Sequence, residues 1–317
     1  MNAVILGYGV VGKGIEILAK ALDDINIKYV YVRKEKENLP YFSNDEDMVV
    51  QDDIDIVFEC LNGLEPANTL IQKALKKGKH VISSNKAVVA TYLDTYLELE
   101  KEYGGSIQVE ACVAGGIPFI DALLKLKRLE PLQGYEGIFN GTSNYILDSM
   151  QKNNLDFEDV LKEAQDKGYA EKDPSNDIDG VDVYYKTKIS NSLAFNTPIV
   201  DIPYYAGIRT IKMLDIKFIK MNNKVIRHLS ISRQIDDKII SIIAPCCMDE
   251  NDFLANVPSN YNAQKILSHS FDTLGYYGQG AGQLPTAQAM VQNALDTLEN
   301  CLLYTSPSPR DPKTYRM

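Results

Sequence analysis

The sequence lacks several features that would place a protein in a specialised class. No apolar run among its 317 residues approaches the roughly 20 residues that a membrane-spanning helix needs. The first residues carry no basic region or spacer of the kind found in secretory signals. Positive charge is also scarce, because 33 lysines and arginines stand against 43 acidic residues, a formal net charge of -10. We therefore expect no membrane and no nucleic acid among the partners.

Cysteine and histidine are too few and too scattered for the common metal and disulfide frameworks. The five cysteines show no CxxC spacing, and the three histidines lie far apart in the chain. A zinc site is therefore not expected. A reducing cytoplasm is the location that fits this cysteine usage best.

The chain begins with an apolar strand, Ala3 to Leu6, that leads into a glycine-rich turn and a helical pattern. Strand, GxGxxG and helix form the fingerprint of dinucleotide-binding folds, in which the glycines let a pyrophosphate approach the backbone at a helix N-terminus. A merely tight turn is the alternative. The predicted cofactor contacts in this motif are Gly7, Gly9, Val10, Val11 and Gly12.

The end of the second predicted strand, Lys28 to Val32, bears on which dinucleotide binds. Arg33 and Lys34 follow this strand, and two cations suit a 2′-phosphate. Glu35 comes next and keeps an unphosphorylated ribose open, while a solvated charge run without function is the alternative. The pattern favours NADP(H) and leaves NAD(H) possible.

Two later strands, Ile54 to Cys60 and Lys79 to Ser83, are predicted to lie in the same parallel sheet. In doubly wound sheets ligands gather at the carboxyl ends of the strands, which is where Lys86 follows the second of them. Lys86 is therefore a candidate contact to cofactor or substrate, against the alternative of a solvent lysine.

Ser106 to Val113 is predicted as a further strand, which breaks into the loop Ala114-Gly-Gly-Ile-Pro118. Such a loop exposes main-chain carbonyls that can hold a hard cation. From the spacing alone, a simple turn between two domains is the favoured interpretation.

The most charged and constrained stretch is Glu163 to Lys186. Gly168 is predicted to end a helix that begins near Phe157, since glycine adopts the left-handed C′ conformation. Asp179 with Gly180 is predicted to cap a new helix over residues 181–195.

Asp182 and Lys186 lie four residues apart on that new helix, and the same face continues into Ile189 and Leu193. One interpretation is an exposed salt bridge, which contributes only a few tenths of a kcal/mol. The other is a buried lysine beside a carboxylate, an amine able to pass a proton near neutral pH.

The remaining segments predict a mixed second half. They are the strand Gly134 to Phe139, the polar stretch Asn140 to Asn144, the helix Tyr145 to Lys152, the antiparallel strands Val225 to Arg233 and Lys238 to Ala244, and the glycine-rich loop Gly275 to Gly282 before a helix ending near Asn300. The polar stretch either holds a substrate or caps its helix.

Together these segments resemble the homoserine dehydrogenase family from Ala3 to about Leu298. The motifs in the family's order are GYGVVG, SSNKAVVA, EACVAGGIP, GIFNGTSNYIL, GYAEKDPSNDIDGVD..YK and YGQGAG...PTA. The resemblance implies an α/β protein with an N-terminal Rossmann-type doubly wound sheet and a second α+β domain for catalysis and dimerisation. It also implies reversible hydride transfer between a nicotinamide cofactor and the aspartate-semialdehyde/homoserine pair by a homodimer, a step toward threonine and methionine.

The resemblance also implies roles for single residues. Lys186 resembles the proton donor, Glu171 and Asp182 resemble the residues that hold the substrate, and Lys86 resembles the lysine that contacts cofactor and substrate. Further cofactor contacts are implied at Asn62, Gly168 and Gly282, although Asn62-Gly63 stands where two glycines are usual. A structural sodium ion is implied on the main-chain carbonyls of Glu110, Val113, Gly115 and Ile117.

We accordingly predict a dinucleotide-binding domain over 1–125 and a catalytic and dimerisation domain over 126–300, with 275–300 returning to the first. Residues 301–317 interrupt a well-formed helix with proline and serine. Their start, CLLYTSPSPRD, resembles translated sequencing-adapter DNA. We expect this tail to be non-native and to contribute nothing to folding.

Two rival functions stay open on the sequence. One is an acylating semialdehyde dehydrogenase with Cys112 as nucleophile, although no histidine lies near it in sequence. The other is a nucleotide-sensing module that keeps the fold without chemistry. The joint presence of Lys86, Glu171, Asp182 and Lys186 argues against the sensing module.

Overall fold

The structure is a computed structural model that describes residues 1–33, 36 and 40–305, with no side-chain description for 300–305. Lys34 and Glu35, on which the cofactor choice partly depends, lie outside these residues. Most of the predicted tail lies outside them as well.

The first half forms a parallel six-stranded sheet in the order β3-β2-β1-β4-β5-β6. The central strands are buried on both faces, as is typical of parallel strands covered by helices. The strands are β1 (Asn2–Leu6), β2 (Asn26–Tyr31), β3 (Phe42–Ser43), β4 (Ile56–Glu59), β5 (His80–Ser83) and β6 (Ser106–Gln108). The helices are α1 (Val10–Ala19), α2 (Ala67–Leu75) and α3 (Lys86–Tyr103), and a 3-10 helix spans Glu46–Val50.

The second half forms a five-stranded sheet in the order β11-β10-β7-β8-β9, antiparallel throughout. Its strands are β7 (Gly134–Ile138), β8 (Lys224–Ile235), β9 (Lys238–Asp249), β10 (Asn262–Ser268) and β11 (Asp272–Gly278). Its helices are α4 (Phe119–Leu126), α5 (Gly141–Asn153), α6 (Phe157–Asp166), α7 (Ser175–Ile178), α8 (Val181–Phe195) and α9 (Met213–Met221). A mixed α/β fold with a Rossmann-type sheet is thus confirmed.

The last helix, α10 (Gln283–Thr305), packs on the first sheet's helix layer. Ala287 and Met290 of α10 share a buried cluster with Ile5 and Ile15. Gly14 of α1 faces Ala287 so closely that a Cβ at position 14 would collide with it. The domain division near residue 126 stays a prediction.

Several predicted elements were wrong in extent. β9 continues to Asp249, beyond the predicted end at Ala244, and α5 begins at Gly141, before the predicted start at Tyr145. The strand predicted from Ser106 to Val113 ends at Gln108, because the Glu110 carboxylate turns back to accept the amides that begin α4 and pulls the chain into a 3-10 turn. The glycine-rich loop predicted over 275–282 begins only after Gly278, because β11 pairs with β10 through that residue. Gly275 belongs to this strand, where the absent side chain makes room for the Phe253 ring.

The glycine turn before α1 yields a stability prediction. A Cβ at Gly12 would collide with the carbonyl oxygen of Gly7, whereas a Cβ at Gly9, whose φ is -86°, would meet nothing within 4 Å. Gly12→Ala should therefore destabilise the fold by about 2 kcal/mol or more, as overpacking against rigid neighbours does. Thermal unfolding should show a melting temperature lower by about 3 °C or more.

Gly9→Ala is the matched control for this measurement. It adds the same methyl group three residues earlier and should leave the melting temperature nearly unchanged. Equal shifts in the two variants would contradict the assignment of the crowding to Gly12.

Candidate functional site

A cleft of about 740 Å³ lies at the carboxyl edge of the parallel sheet. One wall is formed by the loops that follow β4 and β5, which carry Asn62 and Lys86, and by Cys112 and Val113. The opposite wall comes from the start of α5 and from the stretch that runs through Gly168 into α8. The cleft therefore lies where ligands bind in doubly wound sheets.

Asp182 joins two lysines inside this cleft. Its Oδ2 lies 2.8 Å from Lys186 Nζ, and its Oδ1 lies 3.1 Å from Lys86 Nζ. The side chains of Asp182 and Lys186 are only 6% and 9% exposed, whereas that of Lys86 is 41% exposed toward the cleft. The interpretation of Asp182 and Lys186 as an exposed salt bridge is therefore wrong.

The charges of this group stabilise one another. Burial on its own raises the pKa of Asp182, but the Lys186 and Lys86 ammonium groups outweigh burial and hold it far below its usual range. The Asp182 carboxylate raises the pKa of Lys86 in turn. Lys186 also donates to the carbonyl oxygen of Phe139 at 2.6 Å, which fixes the direction of its ammonium group.

Asn140 and Asp177 complete this wall. The sequence predicted Asn140 as part of a polar stretch that holds a substrate or caps its helix, and it predicted no role for Asp177. The Asn140 amide nitrogen donates to Asp177 Oδ1 at 2.7 Å and to Asp182 Oδ2 at 2.9 Å. Burial and the nearby Asp182 charge raise the pKa of Asp177. The predicted capping role of the polar stretch is confirmed, since Asn140 Oδ1 accepts from Ser143 N.

The helix boundaries around Gly168 agree with expectation, with one correction. Gly168 has a φ of +74° and follows α6, and Glu171 stands exposed at the mouth of the cleft. Asp179 does not cap α8 as predicted. Its carboxylate instead binds Arg209 through two bonds of 2.7 Å, and Gly180, with a φ of +86°, occupies the N-cap position.

The predicted cofactor residues are distributed around the first-sheet side of the cleft. Gly7 has a φ of +95°, Val10 is largely exposed, and Val11 lines the cleft. Gly282, with a φ of +127°, follows Gly280 and Ala281, which also line the cleft. Arg33 is exposed just beyond the end of β2, outside the cleft lining itself.

Glu59 is a further residue near the cleft for which no role was predicted from the sequence. It ends β4 fully buried, accepts from Leu61 N at 2.8 Å and from Ser83 Oγ at 2.6 Å, and lies 3.5 Å from Asn85 Nδ2. Burial raises its pKa to about 7, against the opposing effect of these hydrogen bonds. Glu59 thereby ties together the two loops that carry Asn62 and Lys86.

The turn from Glu110 to Ile117 has main-chain oxygens that can hold a monovalent cation. The carbonyls of Val113 and Gly115 accept no hydrogen bond from the residues that the structure describes. The carbonyls of Glu110 and Ile117 each accept one, from Val113 N and Phe119 N. Gly115, with a φ of +60°, packs against the Gly280 backbone, where a Cβ would not fit. This carbonyl set fits a sodium ion better than a transition metal.

No group of three or more histidine, cysteine or acidic side chains within the described ranges is arranged to hold a metal ion. The Glu110 side chain has another role, since its Oε1 accepts from Phe119 N at 2.9 Å at the start of α4. Burial and the neighbouring Asp121 raise the pKa of Glu110 to about 8.

Cys112 is placed poorly for a nucleophile. Its thiol is buried and donates to the carbonyl oxygen of Ser83 at 3.0 Å. Burial and the nearby Glu59 raise its pKa, so the thiolate form that attacks carbonyl carbons is strongly disfavoured. The acylating mechanism therefore loses its nucleophile.

His228 is buried beneath the same wall of the cleft. Its ring nitrogens lie 2.9 Å from the Ala206 carbonyl oxygen and 3.3 Å from Ser143 Oγ. Burial lowers its pKa to about 4, so the ring is neutral near pH 7 and has a structural role.

The described part of the chain contains no helix long and apolar enough to cross a membrane.

Two family models match consecutive parts of the chain. Residues 7–110 match the homoserine dehydrogenase NAD binding domain, and residues 118–295 match the homoserine dehydrogenase domain.

Curated relatives extend the match. A homoserine dehydrogenase of Pseudomonas aeruginosa is 32% identical over 97% of this chain and 74% of its own length. One of Neisseria gonorrhoeae is 38% identical over 79% of this chain and 58% of its own length. The chain thus spans between about half and three quarters of these relatives.

Solved structures share the architecture and cover both sheets. The homoserine dehydrogenase of Thiobacillus denitrificans superposes with a TM-score of 0.89 at 34% identity, covering 98% of this chain and 76% of that one. A hyperthermophilic archaeal homoserine dehydrogenase in complex with NADPH gives a TM-score of 0.80 at 25% identity, covering 94% of this chain and 98% of that one. With two family models over most of its length and relatives above 30% identity, the chain belongs to the homoserine dehydrogenase family.

Proposed function

We propose that this protein catalyses the reversible NAD(P)-dependent reduction of L-aspartate 4-semialdehyde to L-homoserine. The observation that carries the proposal is the Asp182 carboxylate, which holds the ammonium groups of Lys186 and Lys86 within one cleft at the carboxyl edge of the sheet. Two cations held at a site where a nicotinamide would lie suit the reduction of a carbonyl.

The bound nicotinamide would supply or accept the hydride, and the protein's own groups would handle charge and protons. Lys186 is the proposed proton donor, because its ammonium group can stabilise negative charge on the aldehyde oxygen and then donate a proton to it. Its bonds to Phe139 O and Asp182 hold that ammonium group in a fixed direction. Lys86, more exposed to the cleft, is proposed to contact both cofactor and substrate.

Acidic groups on the same wall are proposed to bind the substrate's ammonium group. Glu171 stands at the mouth of the cleft, while Asp177 and Asp182 lie deeper and share the Asn140 amide. A carboxylate pair with one amide donor between them retains acceptor capacity for a cation.

We propose that the protein prefers NADP(H) and also uses NAD(H). Arg33 is exposed just beyond Val32, which follows the end of β2, near where the adenosine ribose is expected in a Rossmann-type site. A relative of the same fold was solved with NADPH. Contacts at Gly7, Gly9 and the cleft-lining residues Val11, Asn62 and Gly168 are part of this proposal.

We further propose a structural sodium ion on the carbonyls of Glu110, Val113, Gly115 and Ile117.

We also propose that the protein is a cytoplasmic homodimer. The four cysteines whose side chains the structure describes are free, and β9, at the edge of its sheet, exposes Ile240 and Ile242 to a second copy. The division into units of 1–125 and 126–300 is proposed on the same footing.

Homoserine-dependent reduction of NAD(P), followed by absorbance of the reduced nicotinamide, tests the function directly. Turnover with homoserine and none with other small alcohols supports it. A chain that binds the dinucleotide but shows no turnover would instead support the nucleotide-sensing module.

The first prediction from the proposed function concerns Lys186. Lys186→Ala should lower kcat at least about a thousandfold, because proton delivery and charge stabilisation are both lost. Dinucleotide binding, measured by fluorescence titration, should change less than threefold. Lys188→Ala, two residues along α8 and paired with the exposed Asp201, is the matched control and should keep full turnover. Turnover of Lys186→Ala within threefold of the parent would contradict the proposed role of Lys186 as proton donor.

The second prediction concerns cofactor choice. Arg33→Ala should reduce kcat/KM with NADP(H) about tenfold or more and leave NAD(H) almost unchanged, because a charge-assisted bond to the 2′-phosphate is worth about 1.5–3 kcal/mol. Lys28→Ala removes a surface cation of β2 that pairs with Asp53 and should affect neither cofactor. Equal losses with both cofactors would overturn the assignment.

The third prediction concerns the cation. At constant ionic strength, replacing tetramethylammonium by sodium should raise the melting temperature, since an ion that binds only the folded state stabilises it by mass action. Identical melting curves in the two salts would remove the ion from the proposal.

A further inference from the structure

The junction between β7 and α5 contacts both members of the Asp182–Lys186 pair. The Phe139 carbonyl oxygen accepts from Lys186 Nζ at 2.6 Å. The next residue, Asn140, donates its amide nitrogen to Asp182 Oδ2 at 2.9 Å and to Asp177 Oδ1 at 2.7 Å. Two neighbouring residues of one loop thus position the lysine and both carboxylates.

The orientation of the Asn140 amide is determined by the helix that it caps. Its Oδ1 accepts from Ser143 N at 2.8 Å, and the side chain is nearly fully buried. An asparagine amide has two N–H donors on its nitrogen, and here they face two different carboxylates. A flipped amide would turn its oxygen toward both carboxylates and leave the first turn of α5 uncapped.

Without that donor pair the two carboxylates would repel each other. The two carboxylates are Asp177 from α7 and Asp182 from α8. The other charged and titratable groups that face them are Lys186 from α8, Lys86 from α3 and His228 from β8. Burial keeps His228 neutral above about pH 5, since its pKa is lowered to about 4. Both lysine ammonium groups bond Asp182, so the amide of Asn140 is the group that joins Asp177 to the same cluster.

We propose that Asn140 is a positioning residue for the reaction, whose amide holds the Asp177 and Asp182 carboxylates side by side and so directs the Asp182–Lys186 pair into the cleft. This inference rests on the proposed function. The competing role is helix capping alone, with no consequence for chemistry.

Asn140→Asp separates the two roles because aspartate is as good an N-cap as asparagine. Asn140→Asp keeps the size of the side chain and the oxygen that caps α5. It replaces the donor nitrogen by an acceptor oxygen and so places a third carboxyl group beside those of Asp177 and Asp182. At pH 8.5 kcat should fall about 30-fold or more, the size expected for lost charge-assisted bonds. If capping were the only role, turnover would stay within threefold of the parent.

The pH profile gives the second readout. A carboxyl facing two carboxylates has a raised pKa, and its protonated form can donate one hydrogen bond in place of the amide. The protonated form accumulates as pH falls, so the ratio of Asn140→Asp to parent turnover should rise at least about fivefold between pH 8.5 and pH 6.

Asn140→Ser is the companion variant and keeps the test decisive if the aspartate variant misfolds. Serine caps helices as well as asparagine does, carries no titratable group, and is too short to bond both carboxylates while capping. Its turnover should fall about tenfold or more at every pH, with an unchanged melting temperature. Asn154→Asp, which adds the same charge at the exposed far end of α5, should behave as the parent.

The outcomes separate this inference from the function on which it rests. A parent without homoserine-dependent NAD(P) reduction would defeat the function. An active parent, with Asn140→Asp or Asn140→Ser showing parental kcat at all pH values, would defeat the positioning role alone. Loss of turnover in Asn140→Asp that is independent of pH would also contradict it.

Discussion

The structure depends on one buried carboxylate. Moving a charged group out of water costs several kcal/mol, and the cost is offset only where the partners are close and fully bonded. Asp182 meets this condition, since one oxygen binds Lys86 and the other binds Lys186 and the Asn140 amide. The Asp182 carboxylate in turn raises the pKa of Lys86 and so favours its charged form. The site therefore buries an anion together with its cations.

Only part of this arrangement is local in the chain. Helical spacing places Asp182 and Lys186 on one face of α8, so their contact exists as soon as that helix forms. Lys86 reaches the same carboxylate from the first turn of α3, after a strand of the other sheet. The two halves of the molecule must therefore be in register for the second lysine to arrive. The charge cluster is therefore complete only when the two halves are correctly assembled.

This division explains what could be predicted from the sequence. The α8 helix was predicted over residues 181–195 and the structure has it as Val181–Phe195, because its periodicity and its glycine boundary are local signals. The inward direction of Lys186 was predictable from Ile189 on the same face. The bonds of Asn140 to Asp177 and Asp182 could not be predicted from the sequence, because they span 37 and 42 residues.

The same reasoning applies beneath the cleft, where a second acid has the opposite environment. Glu59 is as buried as Asp182, yet its bonds come from Leu61 N, Ser83 Oγ and Asn85, none of them a cation. Its pKa rises to about 7 while that of Asp182 falls, so burial alone does not decide the charge of a carboxyl here. Beneath the cleft, hydrogen bonds between Glu59 and neutral donors hold the two loops in place. Because its pKa is raised, Glu59 is less ionised near pH 7 than an ordinary carboxyl group and competes less for the lysines. The ammonium groups of Lys86 and Lys186 therefore interact with Asp182 and with any substrate oxygen that enters the cleft.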